Sequence, residues 1–82
     1  MVKTEHTAFV ISRALGIVRL VLYRYQDNQL LWHRRHIGET DSEPYYKARC
    51  ACPETAVRHL VDRFEDCDTL VSVYEGRKRI HP

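Results

Sequence analysis

Hydrophobic and polar positions alternate along most of this chain with the period of a strand. Read two residues at a time, the run 17–25, IVRLVLYRY, puts Val18, Leu20 and Leu22 on one face. Arg19, Tyr23 and Tyr25 fall on the other, together with Ile17 and Val21. The preceding run 7–15, TAFVISRAL, is rich in β-formers and is punctuated by Gly16. A single long helix through both runs is the rival reading, because Ile11, Leu15, Val18, Leu22 and Tyr25 make a helical stripe. Arg13, Arg19 and Arg24 share no opposite face, however, and the β-branched residues and Gly16 disfavour a helix. Asp27-Asn28 then predicts a two-residue hairpin turn, since both residues tolerate the left-handed conformation. A third strand follows over 30–37, with Leu30, Trp32, Arg34 and His36 facing one way and Leu31, His33, Arg35 and Ile37 the other.

The second half changes period. Residues 38–44, GETDSEP, read as an acidic loop, and 45–52, YYKARCAC, as a fourth short strand. From Pro53 to about residue 65 the period becomes helical: Val57, Leu60, Val61 and Phe64 recur at i, i+3, i+4 and i+7. Pro53 suits the first helical position, where its missing N–H costs nothing. Residues 69–74, TLVSVY, alternate again as a last strand, with a turn at Gly76 and a short basic run, Arg77-Lys78-Arg79, beyond it. The order β-β-β-(β)-α-β predicts a single α+β domain over residues 1–82. It would hold one antiparallel sheet of four to five strands with one helix packed on one face, and flexible ends at 1–6 and 76–82. One helix leaves the other sheet face uncovered.

Length and composition narrow what that face can do. At 82 residues the chain holds one core, and it buries roughly 60–65% of its unfolded surface, so a homodimer would add useful burial. The apolar fraction, 44%, excludes wholesale disorder. No apolar stretch approaches the ~20 residues a membrane-spanning helix needs. Residues 1–38 carry six Lys/Arg against two acids, and residues 39–82 carry seven against nine, so the strands are basic and the second half mildly acidic. Arginine supplies ten of the 13 bases, which favours planar, bidentate and stacking contacts over point charge.

Chemistry has few footholds. The three cysteines, Cys50, Cys52 and Cys67, are too few and odd in number for a disulfide framework, and the polar start has no apolar leader behind it, so a reducing cytoplasm is expected. Cys67, between Asp66 and Asp68, is the thiol best placed to cross-link two copies in air, although the flanking carboxylates would slow it. No C-x2-C or H-x3-H spacing marks a metal site, and on a strand His33 and His36 point apart. Cys50 or Cys52 with His59 would be a thiol–imidazole pair, but no third orienting group or phosphate loop accompanies it. The expectation is a non-enzymatic protein without metal or cofactor.

Binding remains, through residue types that interfaces favour. The candidate contacts are Tyr23, Tyr25, Trp32, Arg34 and Arg35, with the acidic Glu39, Asp41 and Glu43 as a second set. The same basic and aromatic residues would also serve a nucleic-acid-binding regulator, stacking bases and holding phosphates. Strands first, a lone helix opening behind a strand (YYKARCACPETAVRHLVDRF) and a closing strand (TLVSVYE) resemble small phage and mobile-element proteins, the anti-CRISPR proteins among them. The resemblance spans most of the chain and lies in size and architecture. It implies a stoichiometric inhibitor in a bacterial cytoplasm, which binds a CRISPR effector complex and sterically blocks recruitment of target DNA.

Overall fold

The computed structural model describes residues 1–13, 16–35, 42–45, 49–62 and 68–82. They form one antiparallel sheet and one helix in the order β1 (Val2–Ser12), β2 (Gly16–Arg24), β3 (Leu30–Arg35), β4 (Ser42–Pro44), α1 (Pro53–Asp62), β5 (Asp68–Glu75) and β6 (Lys78–His81). Across the sheet the strands run β4-β3-β2-β1-β5-β6, so the first two hairpins build the middle and the segments on either side of the helix complete the edges. The architecture is the expected α+β sandwich of one sheet and one helix, with six strands rather than four to five.

The core follows the alternation. Ala8 and Val10 of β1, Val18, Leu20 and Leu22 of β2, Leu30 and Trp32 of β3 and Val73 of β5 meet Ala56 and Leu60 of the helix. The helix turns Ala56 and Leu60 inward, with Val57 only partly buried and Val61 exposed, so its buried stripe is rotated from the one the periodicity marks. Trp32 explains the rotation: its indole N–H donates to the Ala56 carbonyl at 2.9 Å, which draws the small Ala56 side of the helix onto the ring. Pro53 takes the first helical position, and the carbonyl of Cys52 accepts the first helical hydrogen bond from Ala56 at 3.2 Å. Phe64 lies outside the described residues.

Both expected flexible ends are strands. β1 begins at Val2, in register with Arg24, and the Thr4 hydroxyl donates to the Leu22 carbonyl at 2.7 Å across an irregularity between Lys3 and Thr7. The tail folds back at Gly76, whose φ of +59° suits the first central position of a tight hairpin turn, and β6 pairs with β5 through Glu75↔Lys78 and Tyr74↔Arg79. The β2–β3 connection differs in detail from a two-residue turn. Asn28 N–H donates to the Tyr25 carbonyl at 3.0 Å and Tyr25 N–H to the Gln29 carbonyl at 2.9 Å, with Asn28 at φ +64°. That is a three-residue loop closed by one left-handed residue, and the Asp27 carboxylate braces it by accepting from Gln29 N–H at 3.1 Å.

The fourth strand also moves. Pairing with β3 falls on Ser42–Pro44, inside the segment expected to be loop, through Arg34↔Glu43 and Arg35↔Ser42. Within 45–52, Cys50 makes an isolated bridge to Leu30 with both backbone hydrogen bonds, at 2.8 and 2.9 Å, while residues 46–48 lie outside the described residues.

Candidate interaction surface

Residues that pair across antiparallel strands share a face. The register therefore assigns the helix-free face residue by residue. On β1 and β2 it carries Ile11↔Ile17, Phe9↔Arg19, Thr7↔Val21 and Lys3↔Tyr23. β3 adds Arg35, His33 and Leu31 opposite Arg19, Val21 and Tyr23. β5 adds Thr69, Ser72 and Tyr74 opposite Ile11, Phe9 and Thr7, and β6 adds Arg79 opposite Tyr74. Val21, Leu31, His33 and Ser72 are buried in the sheet surface, while the larger rings stand half-buried above it. Phe9 and Tyr74 meet edge to face at 6.2 Å, and Tyr23 meets His33 at 4.7 Å.

Two properties set this face apart. At its β1–β2 end Ile11 and Ile17 lie side by side, 48% and 74% exposed, in a chain that had core positions available to aliphatic residues. Its paired positions also hold four cations, Lys3, Arg19, Arg35 and Arg79, and no carboxylate among the described residues. The face is thus apolar at one end and aromatic in the middle, with four cations among its paired positions.

His33 anchors the aromatic part. It is 3% exposed, its ring lies 5.7 Å from that of Tyr25, and its Nε2 shares a hydrogen bond with the Tyr25 hydroxyl. Burial pushes its pKa below the usual imidazole value, which favours the neutral ring as the hydrogen-bond partner of the Tyr25 hydroxyl. On the far side of Tyr25 the Arg49 guanidinium sits 4.9 Å from the ring centre and 3.3 Å from the Asp27 carboxylate. The hairpin loop and the segment before α1 thereby clamp Tyr25 at the end of β2.

The structure separates the residues that the sequence grouped. Tyr23 and Arg35 lie on the helix-free face and Tyr25 at its margin. Trp32 does not: it is 2% exposed beneath the helix and satisfied by Ala56, so it is a core residue and not a contact. Arg34 shares Trp32's side of the strand and pairs with Glu43 at 2.8 Å across the β3–β4 edge. Glu39, Asp41 and Cys67 lie outside the described residues. Phe9, Ile11, Ile17, Tyr74 and Arg79 complete the surface; the alternation of 17–25 already puts Ile17 on the face of Arg19 and Tyr23, while the other four reach it through strand pairing.

Other chemistry is sparse. Cys50 and His59 do come together, Sγ to Nδ1 at 3.3 Å. Burial, and then the neighbouring Cys52, push the Cys50 thiol pKa up, so the pair is a hydrogen bond to a thiol and not an activated thiolate. Cys52 instead meets the Thr55 hydroxyl at 3.1 Å. Among the described residues no group of three or more His, Cys, Asp and Glu is arranged to hold a metal ion, and no helix is long and apolar enough to cross a membrane. No protein-family model, curated protein or solved structure matches this chain.

Proposed function

We propose that this is a small non-enzymatic binding protein that seats the helix-free face of its sheet on an acidic protein surface and blocks it sterically. In the terms of the architectural resemblance, it is a phage-type inhibitor acting in the bacterial cytoplasm, which occupies a CRISPR effector complex and keeps target DNA from being recruited. The observation that carries this reading is the exposed Ile11–Ile17 pair running into Phe9, Tyr74, Tyr23 and Arg19. Aliphatic, aromatic and arginine side chains in one patch are the composition of a protein interface core. The surrounding cations complement an acidic partner and speed its capture.

A second reading, direct binding of a nucleic-acid strand, is favoured by the lack of a carboxylate among the described residues at the paired positions of that face. One experiment separates the two. Target-DNA recruitment by purified effector complexes is measured with increasing amounts of the protein and of an Ile17→Glu/Arg19→Glu variant. The inhibitor reading predicts block by the wild type at stoichiometric amounts and none by the variant. Unimpaired recruitment, together with oligonucleotide binding that falls steeply with salt and less steeply in Arg19→Gln/Arg35→Gln, replaces it with the nucleic-acid reading.

A further inference from the structure

A second, chemically opposite surface lies on the helix side of the sheet. α1 has ten residues, a rod of about 15 Å, while six strands span about 24 Å. Among the described residues, the helix rests mainly on β3 and β5 and leaves a gap towards β6. The gap is a cleft of about 440 Å³, a volume typical of ligand sites. Its walls are apolar: Pro53, Val57 and Val61 from the helix and Ile80 from β6. Val61 and Ile80 are among the exposed large aliphatic residues of the molecule, and here they face the same space.

The polar groups around those walls are mainly acidic. Among the described residues, Glu54, Asp62 and Glu75 line the cleft with one guanidinium, Arg58. Glu54 is held ionised below its usual range, first by its own backbone amide and then by the Cys52 side chain. His6 completes the lining. It is 8% exposed, its Nδ1 is buried with no hydrogen-bond partner, and its Nε2 stands 3.9 Å from the Glu75 carboxylate, beyond hydrogen-bond reach. The imidazole thus keeps one buried nitrogen without a hydrogen-bond partner, beside a carboxylate that lines the same cleft.

We infer that this cleft docks a peptide segment of a partner protein in which aliphatic residues alternate with lysine or arginine. The aliphatic side chains would cover Val57, Val61 and Ile80, and the cations would lie against Glu54, Asp62 and Glu75. An acidic or purely polar peptide matches neither the walls nor the charge. The inference concerns a different surface from the helix-free face and stands or falls without it.

The test is an NMR titration of the full chain with a capped hexapeptide of alternating lysine and leucine. Two control peptides replace lysine by glutamate or leucine by serine. The lysine–leucine peptide is expected to shift the amide signals of Val57, Val61, Glu75 and Ile80, and both controls to bind at least about tenfold more weakly. Val61→Ser/Ile80→Ser is expected to weaken binding about tenfold through lost apolar burial. Asp62→Asn/Glu75→Gln is expected to weaken it at low salt and to flatten its salt dependence. All four positions are exposed, so the variants keep the fold, which their own spectra verify. Ile17→Glu/Arg19→Glu leaves the affinity unchanged. No binding, equal binding of the glutamate peptide, shifts confined to the helix-free face, or indifference to both double variants overturns the inference.

Discussion

Trp32 shows how one residue type carries two opposite meanings. In composition it reads as an interface anchor; in the fold it is the keystone between β3 and α1, with its only polar atom bonded to Ala56. Replacing Trp32 by Ala should therefore cost about 3–5 kcal/mol of stability in urea unfolding. Trp32→Phe, which keeps most of the volume and loses the hydrogen bond, should cost about 2 kcal/mol. A near-neutral Trp32→Ala would contradict its place in the core. His33 gives a pH prediction. Its folded pKa lies below the usual value of 6.5, so on acidification the unfolded chain takes up a proton that the folded chain refuses. This contribution to stability is fully present above pH 6.5 and is lost as pH falls through the folded pKa. The unfolding midpoint should drop between pH 7 and 5, and His33→Gln should reduce that slope. The two described thiols should also separate: Cys50, buried with a raised pKa, should resist alkylation in the folded protein, while the half-exposed Cys52 reacts. Peptide mapping by mass spectrometry reads this directly, and equal labelling would contradict it.

At the scale of elements, alternation found what burial enforces. β2 places Val18, Leu20 and Leu22 in one buried row beneath the helix, and a one-residue slip would turn all three to the other face, so its pattern is strong. The first half of β1 and all of β6 have no such row. VKTEH and KRIH are held by backbone pairing to a neighbour that already exists, and a polar strand on a preformed edge is indistinguishable in sequence from a frayed tail. The same holds for β4, three residues tied to β3 by the Arg34–Glu43 pair. Two turns give direct tests. Gly76 adopts φ +59°, and an added Cβ there would meet nothing closer than a Glu5 carboxylate oxygen at 3.8 Å. Gly76→Ala should thus cost only the backbone penalty, about 1–2 kcal/mol, and loosen the β5–β6 hairpin in hydrogen exchange. Asn28→Gly should be tolerated where Asn28→Val is not, because Asn28 is the one non-glycine residue at positive φ among those described.

At the scale of the whole molecule, the single helix divides the sheet into two unlike surfaces. The side it covers holds the core and an acidic, apolar cleft at the open end. The side it leaves bare holds Ile11, Ile17, the rings of Phe9, Tyr23 and Tyr74, and four cations. Part of the candidate surface was legible: the sequence names Tyr23 and Arg35, but it groups Trp32 and Arg34 with them although the alternation of β3 puts these two on the other side of the strand. Phe9, Tyr74 and Arg79 reach it only through pairing between strands far apart in the chain, and no local pattern encodes which strand lies beside which. The central claim, that the bare face binds a protein, is tested most directly by affinity capture from nuclease-treated bacterial lysate containing CRISPR effectors, with wild type and Ile17→Glu/Arg19→Glu run side by side. The account predicts one effector complex retained by the wild type without nucleic acid and lost by the variant. Retention by both, or loss of every partner on nuclease treatment, would contradict it.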